Sequence, residues 1–395
     1  MSGKGSKPVI PFYDFKMRWK KVQAMMQRRG IDLVIAYADD RAVFGAAHAR
    51  YLANLPVHFE PVCILMPPEG EPVLLCGPET DEYARLIGCI KDVRVLKEFT
   101  HPDEDYPFSK IDGLSKVVAE TVSSPAKIHK IGIAAGSLIP EDTASAIKRA
   151  FPDASRADVE SAMCALRAVK SKAEIDVIRY AYKIAQIGLN AAVGAVKPGI
   201  TEREVAAEAE YAMRRMGAEG TGIDTIVASG PNTRPILART TFRKIRSDDL
   251  VLITVAPRYE GYHGAIGRPV IVGSPPREIL KSVDVACRAQ QACSREVRPG
   301  VEGRKVEAIG RSIVGKAGLG KYFLYSGIHS VGVIEFEPPI FGPGSTGKLR
   351  KDMVISIDIP MFNAPWGGLR VEDGYLVTES GAERLNRTPY KIKRN

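Results

Sequence analysis

The chain contains 395 residues, of which 45% are hydrophobic and 26% are charged, and its formal net charge at pH 7 is +10. A chain of this length is too long to fold around one hydrophobic core. With an ordinary composition, it indicates a globular protein of about two domains. The sequence has no apolar run near the roughly 18 residues of a membrane span, no signal-peptide pattern and no basic stripe interleaved with aromatics, so it predicts a cytoplasmic protein without nucleic-acid or membrane partners.

The first 160 residues alternate between helical and strand patterns. Trp19, Val22 and Met26 recur at helical spacing within a predicted helix at 14–30. The predicted strands that follow are the apolar runs at 33–37, 62–66, 73–76, 93–96 and 131–134. This alternation predicts an α/β domain at 13–160, after a flexible basic N-terminus at 1–12. The six cysteines are scattered without a CxxC pair, which predicts reduced, buried thiols.

The second half of the chain carries one pattern twice. Lys-Pro-Gly-Ile at 197–200 opens a predicted helix that is capped by Thr201 with Glu204 three residues on, and Arg-Pro-Gly-Val at 298–301 opens another. A long helix precedes each opening, and the first of these begins with a capping-box pattern at 171–174. Paired strands follow each helix pair, at 251–257 and 263–273 in the first copy and at 354–360 and 369–381 in the second. We infer an internal duplication in an α+β domain at 161–386, followed by a basic tail at 387–395.

The two copies differ in charge at matching positions of their hairpins. Thr254 of the first hairpin matches Asp358 of the second, and Ala265 roughly matches Glu372. The second hairpin therefore presents two acids where the first presents none.

Five segments of the chain resemble the peptidase M24 family of creatinase, prolidase and aminopeptidase P. The segments are LRAVKSKAEIDVIRYA (166–181), IVASGPNTRP (226–235), SDDLVLITVAPRYEGYHGAIGRP (247–269), GIHSVGVIEFEPP (327–339) and, within 352–385, DMVISIDIP with GGLRVEDGYLVTESGAERL. The resemblance implies an α/β N-terminal creatinase-like domain and a C-terminal pita-bread domain with an internal pseudo-twofold repeat. It also implies a homodimer in which the N-terminal domain of one subunit closes the pocket of the other.

The resemblance places three of the family's five metal-ligand positions on side chains that can bind a metal. The peptidases of this family hold two metal ions with two Asp, one His and two Glu, and these positions fall on Thr254, Ala265, His329, Asp358 and Glu372. Two close divalent ions need bridging carboxylates, which the first hairpin lacks. We therefore predict no metal cofactor, with a single ion on the remaining imidazole and two carboxylates as the alternative.

The family also implies two histidines that assist proton transfer, and these fall on Leu237 and Phe336. The sequence is thus closer to the metal-free branch, creatinase and ectoine hydrolase, although creatinase's catalytic histidine falls on Leu237 and its first-hairpin acid on Gly267. We predict a metal-independent hydrolase of a C–N bond, of amide, amidine or guanidine type, in a small carboxylate-bearing compound. The alternatives are a lyase similar to the dimethylsulfoniopropionate lyases, a catalytically silent ligand- or peptide-binding member, and an Xaa-Pro aminopeptidase.

Three residues are the candidate catalytic groups. Glu372 or Asp358 would activate water or attack directly, and His329 would pass a proton to the leaving nitrogen. Each also has an ordinary structural interpretation: a core histidine for His329, a salt bridge with Arg370 for Asp358, and a surface strand of alternating charge for Glu372. Strand alternation places Ser356 with Asp358, and Arg370 with Glu372, on shared faces.

The remaining candidates are substrate-binding residues around this predicted pocket. Glu335 and Glu337 flank Phe336, and an exposed rim is the ordinary interpretation for at least one of them. In the N-terminal domain, the segment 48–60 is where we expect contact with a partner's pocket. The full candidate set is Arg239, Arg370, Glu337, Glu335, His263, Thr254, Leu237, Phe336, His58 and Phe59.

Overall fold

The computed structural model describes residues 7–41, 43–122 and 125–394. The chain divides into two compact units. Ile10–Arg167 forms the N-terminal unit, and the chain from Ala168 onwards, together with the described residues before Ile10, forms the C-terminal unit. The sequence analysis placed this boundary after residue 160, where a helix begins.

The N-terminal unit is a seven-stranded sheet with helices. Strand β1 pairs antiparallel with β2 and parallel with β6, and all six of its residues are buried, as expected for a central strand covered on both faces. The strand order is β5-β4-β3-β2-β1-β6-β7. In chain order the elements are α1 (Phe12–Arg29), β1 (Leu33–Ala38), α2 (Ala47–Ala53), β2 (Val62–Met66), β3 (Val73–Cys76), α3 (Asp81–Ile87), β4 (Asp92–Leu96), β5 (Ile111–Asp112), α4 (Leu114–Thr121), β6 (Lys130–Ala134), α5 (Glu141–Ala150), β7 (Ser155–Asp158) and α6 (Glu160–Ala168).

The C-terminal unit contains four long helices, a nine-stranded and mainly antiparallel sheet with two joined hairpins at its centre, and a second sheet of three short strands. Its helices are α7 (Lys172–Ala195), α8 (Glu202–Arg215), α9 (Arg277–Glu296) and α10 (Gly303–Lys316). Its strands are β8 (Gly220–Thr221), β9 (Ile226–Ser229), β10 (Leu250–Val255), β11 (Pro257–Tyr259), β12 (Tyr262–His263), β13 (Ile266–Val272), β14 (Ile328–Ser330), β15 (Glu337–Ile340), β16 (Val354–Ala364), β17 (Gly367–Val377), β18 (Ala382–Arg384) and β19 (Ile392–Arg394). The main sheet has the order β15-β14-β16-β17-β13-β10-β9, and β13 and β17 join the hairpins.

The internal duplication is visible in backbone hydrogen bonds. The Gly199 amide donates to the Ile245 carbonyl at 2.9 Å, and the Gly300 amide donates to the Leu349 carbonyl at 2.9 Å. Both glycines have positive φ, +91° and +86°, which a residue with a Cβ adopts only with strain. The Pro-Gly signature of each copy is thus explained by the turn before α8 and before α10, and the predicted pseudo-twofold repeat is confirmed.

Both predicted capping boxes form. The Ser171 hydroxyl accepts from the Glu174 amide while the Glu174 carboxylate accepts from the Ser171 amide, and Thr201 and Glu204 do the same at α8. These caps set the first turns of α7 and α8.

The two chain ends differ from the solvated tails that the sequence predicted. Residues 1–6 and 395 lie outside the described residues, but Lys7 donates to the Met216 carbonyl at 3.2 Å. At the other end β19 pairs in parallel with β13. The basic C-terminal segment is therefore partly a sheet strand, because the edge of β13 offers it backbone partners. No helix of the described residues is long and apolar enough to cross a membrane.

Candidate functional site

The two hairpins meet at the centre of the main sheet, and their inner faces carry the candidate site. Asp358 of β16 lies directly opposite Glu372 of β17, and Glu372 in turn pairs with Gly267 of β13. A Cβ on Gly267 would lie 2.7 Å from Arg370 Cδ and 3.2 Å from Glu372 Cβ. Because Gly267 has no side chain, Arg370 and Glu372 can pack directly against the first hairpin.

Three buried side chains place metal-ligating atoms close together. His329, Glu335 and Glu372 each offer one such atom, and these atoms all lie within 4.8 Å of one another. His329 Nδ1 is 3.0 Å from the Ser330 carbonyl, which only accepts, so Nδ1 carries the proton and Nε2 keeps its lone pair. His329 Nε2 is 4.0 Å from Glu372 Oε1. We call His329, Glu335 and Glu372 the ligand cluster.

Asp358 is held beside the ligand cluster by two groups. The Tyr325 hydroxyl donates to Asp358 Oδ2 at 2.5 Å, and Arg370 Nη2 donates to the same hydroxyl at 2.7 Å. Arg370 also places Nε 3.6 Å from Asp358 Oδ2 and Nη1 3.8 Å from Glu372 Oε2. The predicted salt bridge between Asp358 and Arg370 therefore exists alongside the candidate functional role. Tyr325 was missed from the sequence, since it precedes strand β14 and resembles a core aromatic.

Burial dominates the electrostatics of these groups. It raises the pKa of Glu335 to about 7 and, with the charges of Asp358 and Glu335, the pKa of Glu372 to about 8. Burial also raises the pKa of Asp358 and lowers that of His329 to about 4. Among the described residues, Asp358 Oδ1 and Glu372 Oε2 are buried without a hydrogen-bond partner. Buried carboxylate oxygens of this kind are compensated by a proton or by a cation, and a neutral imidazole with carboxylates is a donor set that fits a divalent metal ion.

The first hairpin places uncharged side chains at the two positions that match Asp358 and Glu372. Thr254 and Ala265 are both fully buried, and Thr254 Oγ1 has no hydrogen-bond partner within the part of the chain that the structure describes. Glu260 and Gly261 at its tip have φ of +48° and +76°, which is the two-residue turn that tight hairpins prefer. This agrees with the sequence, which placed no acid on the inner face of this hairpin.

Three further candidates lie near the cluster. The Phe336 ring packs on the His329 ring with centroids 4.2 Å apart. His263 Nδ1 is 3.0 Å from the Gly332 carbonyl. Glu337 points elsewhere, since its Oε1 accepts from Lys170 Nζ at 3.2 Å. The expectation of an exposed rim for at least one of Glu335 and Glu337 is wrong. Glu335 lies in the bent segment 332–336 and Glu337 begins β15, and both are buried.

Two candidates of the C-terminal unit are exposed, and two others belong to the N-terminal unit. Arg239 is exposed and pairs with Asp224, and Leu237 is exposed as well. His58 and Phe59 belong to the N-terminal unit, where they line a cleft of about 370 Å³. The structure thus brings together His329, Asp358, Glu372, Arg370 and Glu335.

Comparison with known protein families identifies the family of this chain. Residues 176–379 match the family model described as Metallopeptidase family M24, and residues 18–169 match the Creatinase/Prolidase N-terminal domain. The chain belongs to the M24 family. The α/β N-terminal domain and the C-terminal pita-bread domain are confirmed for this M24 member.

Relatives of this M24 chain include named peptidases. It is 35% identical over 227 residues to the Xaa-Pro dipeptidase of Pyrococcus furiosus, an alignment that covers 58% of the chain and 65% of that relative. It is 30% identical over 279 residues to an uncharacterized peptidase of Bacillus subtilis, covering 71% and 78%. The crystal structure of the prolidase from Pyrococcus horikoshii OT3 superposes with a TM-score of 0.81 at 26% identity, covering 94% of this chain and 99% of that one. The chain thus spans about two thirds of the length of the Pyrococcus furiosus relative.

These comparisons correct two predictions from the sequence. The metal-free, creatinase-like C–N hydrolase is wrong, because relatives of this M24 chain are named Xaa-Pro dipeptidases and prolidases. The prediction of no metal cofactor is wrong as well, since the matched family is one of metallopeptidases and His329, Glu335 and Glu372 form a group that can hold an ion. The losses at Thr254 and Ala265 do not abolish a metal site, because Glu335 joins His329 and Glu372.

Proposed function

We propose that this M24 chain is a metal-dependent peptidase that hydrolyses the bond preceding proline in short peptides. The ligand cluster carries the proposal, since His329, Glu335 and Glu372 gather buried metal-ligating atoms within 4.8 Å at the centre of the joined hairpins. The names of the relatives support the same activity, which the sequence analysis kept as an alternative to its main prediction.

In this proposal His329, Glu335 and Glu372 hold the metal ion. A bound divalent ion supplies a Lewis acid that polarises a carbonyl oxygen and acidifies water at neutral pH. His329 is suited to the role because its Nδ1 proton is donated to the Ser330 carbonyl and Nε2 stays free to coordinate. The Ser356 hydroxyl donates to Glu372 Oε1 at 2.9 Å and fixes that carboxylate.

Asp358 is the proposed proton acceptor. Tyr325 and Arg370 fix its Oδ2, while Oδ1 is buried and has no hydrogen-bond partner among the described residues. Burial raises the pKa of Asp358, so its carboxylate accepts a proton more readily than an ordinary one. Leu237 and Phe336 stand where the resemblance implies histidines, so proton transfer falls to a group inside the site.

The proposal is tested with the purified full chain, Mn²⁺ and two peptides of matched size, Leu-Pro and Leu-Ala. We expect release of leucine from Leu-Pro, loss of that activity on chelation and its return on adding Mn²⁺. Glu372→Gln should lower kcat/KM by about 100-fold or more, as expected for removal of a ligand. Glu379→Gln makes the same chemical change on an exposed side chain and should leave kcat/KM unchanged.

Other outcomes would contradict this function. No cleavage of any Xaa-Pro di- or tripeptide by the metal-loaded chain would instead favour a catalytically silent binding member. Equal cleavage of Leu-Pro and Leu-Ala would show a peptidase without proline preference.

We also propose that the chain acts as a homodimer in which the segment 48–60 of one subunit closes the pocket of the other. Phe59 supports this role, since its side chain is 54% exposed, stacks on His101 at 5.2 Å and has a φ of +68°. A bulky residue in that conformation is rare and is often found at functional positions. Light scattering should give twice the chain mass, and Phe59→Ala should raise KM for Leu-Pro without changing that mass.

A further inference from the structure

We propose that the site binds one divalent ion per chain, held by His329, Glu335 and Glu372, instead of a pair of ions. This inference rests on the proposed metal dependence but not on the proposed substrate. It assigns Glu335, which has no counterpart among the ligand positions that the resemblance implies, as the third ligand.

The geometry selects these three ligands. Their donor atoms lie within 4.8 Å of one another, a spread that one ion bridges with bonds near 2.0–2.5 Å. His329 Nε2 has its lone pair available, and Glu372 Oε2 is buried without a hydrogen-bond partner within the described chain. Gly222 leaves room for both His263 and Glu335, since a Cβ there would lie 2.7 Å from His263 Nε2 and 3.0 Å from Glu335 Cβ.

Asp358 is engaged elsewhere. Its Oδ2 accepts a hydrogen bond from Tyr325 at 2.5 Å and lies 3.6 Å from Arg370 Nε. Asp358 is not part of the group whose ligand atoms converge. Asp358 Oδ1 has no hydrogen-bond partner among the described residues, and only Oδ2 is fixed by Tyr325 and Arg370. The exclusion of Asp358 from the ligand set therefore depends on the convergence of the other three ligand atoms, and Glu335 supplies the third ligand in its place.

The carboxyl groups of the site are too few to offset two ions. Glu335, Asp358 and Glu372 bring three acids to it, and Arg370 already places its guanidinium 3.6 Å from Asp358 and 3.8 Å from Glu372. Glu337 is paired with Lys170 at 3.2 Å. A second divalent ion would add two positive charges to this buried site, with no further carboxylate at position 254 or 265 to offset them.

The first hairpin cannot supply the missing ligands for a second ion. Thr254 offers one neutral hydroxyl and Ala265 offers a methyl group, and both are fully buried. Divalent ions a few ångströms apart need shared carboxylates to offset their repulsion. None stands at either of these positions.

The count is tested on the unmodified full chain, stripped of metal by chelation and titrated with Mn²⁺. We expect calorimetry and elemental analysis to give one Mn²⁺ per chain at saturation, and electron paramagnetic resonance to give the six-line spectrum of an isolated Mn²⁺. Two ions per chain with a spin-coupled spectrum would overturn the inference while leaving the proposed peptidase intact. One ion without Leu-Pro cleavage would do the reverse.

The ligand assignment is tested with isosteric variants. Glu335→Gln should weaken Mn²⁺ binding by about 100-fold or more, whereas Asp358→Asn should change it by less than about threefold and act on kcat instead. Glu379→Gln should bind like the unmodified chain. Equal losses of affinity in Glu335→Gln and Asp358→Asn, or a loss only in Asp358→Asn, would show that the assignment is wrong. Circular dichroism checks each fold, and the count on the unmodified chain holds if a variant does not fold.

Discussion

The buried ion pair between Lys170 and Glu337 offers a test of how the C-terminal unit holds the segment that carries His329. Lys170 Nζ donates to Glu337 Oε1 at 3.2 Å and to the Ser330 hydroxyl at 2.8 Å, and both charged side chains are 1% exposed. Lys170→Met keeps the length of the side chain but removes the ammonium group that lies 3.2 Å from the buried Glu337 carboxylate. Breaking one side of a buried pair costs about 3–5 kcal/mol. For a unit of this size each kcal/mol lowers Tm by about 2–4 °C, so the expected fall is roughly 6–20 °C.

Urea unfolding followed by circular dichroism measures this loss, with unchanged m-values as evidence that the same transition is observed. Lys172→Met is the matched control, because Lys172 lies two residues away with its side chain 90% exposed and should lose less than about 1 kcal/mol. The double variant Lys170→Met with Glu337→Gln removes both charges and should recover about 2–3 kcal/mol relative to the sum of the single losses. If Lys170→Met matches Lys172→Met, or if the double variant is as unstable as that sum, the pair does not hold this segment.

Three further predictions concern the metal site and the N-terminal unit. Because burial raises the pKa of Glu335 and Glu372, protons compete with the metal, so Mn²⁺ affinity should rise as pH increases toward about 8 and proton release should accompany binding; a pH-independent affinity in buffered calorimetry would refute this. Thr254→Asp combined with Ala265→Asp should raise the Mn²⁺ content from one to two per chain by elemental analysis, and an unchanged content would show that these positions do not face the site. Burial lowers the pKa of His48, so the unfolded chain takes up a proton that the folded unit excludes as pH falls through about 6.5. The N-terminal unit should therefore lose stability in urea between about pH 7.5 and 5.5, less so in His48→Gln, and equal slopes for the two proteins would contradict this reasoning.

Regular elements of the fold could be predicted because their signals are local. The capping boxes at Ser171 and Thr201 form as expected, since each depends on two residues within one turn. The inner faces of β16 and β17 were also predictable, because strand alternation alone places Asp358 and Glu372 on one side. The chain ends were mispredicted, because the pairing of β19 with β13 depends on a partner more than a hundred residues away.

The residues of the metal site could not be predicted in the same way, because metal binding depends on which charged side chains lie close together in the folded chain. Glu335 lies in a bent segment at 332–336 where alternation does not apply, so no periodicity indicated that it turns inward to His329 and Glu372. An alignment compares single positions, so it shows the losses at Thr254 and Ala265 but not the carboxylate of Glu335 that compensates for them. An ion responds to the total of donors and charges around it, whatever strands they come from. A ligand that is replaced at one aligned position therefore does not show by itself that metal binding is lost. A carboxylate from a neighbouring segment, here Glu335, can take its place in three dimensions.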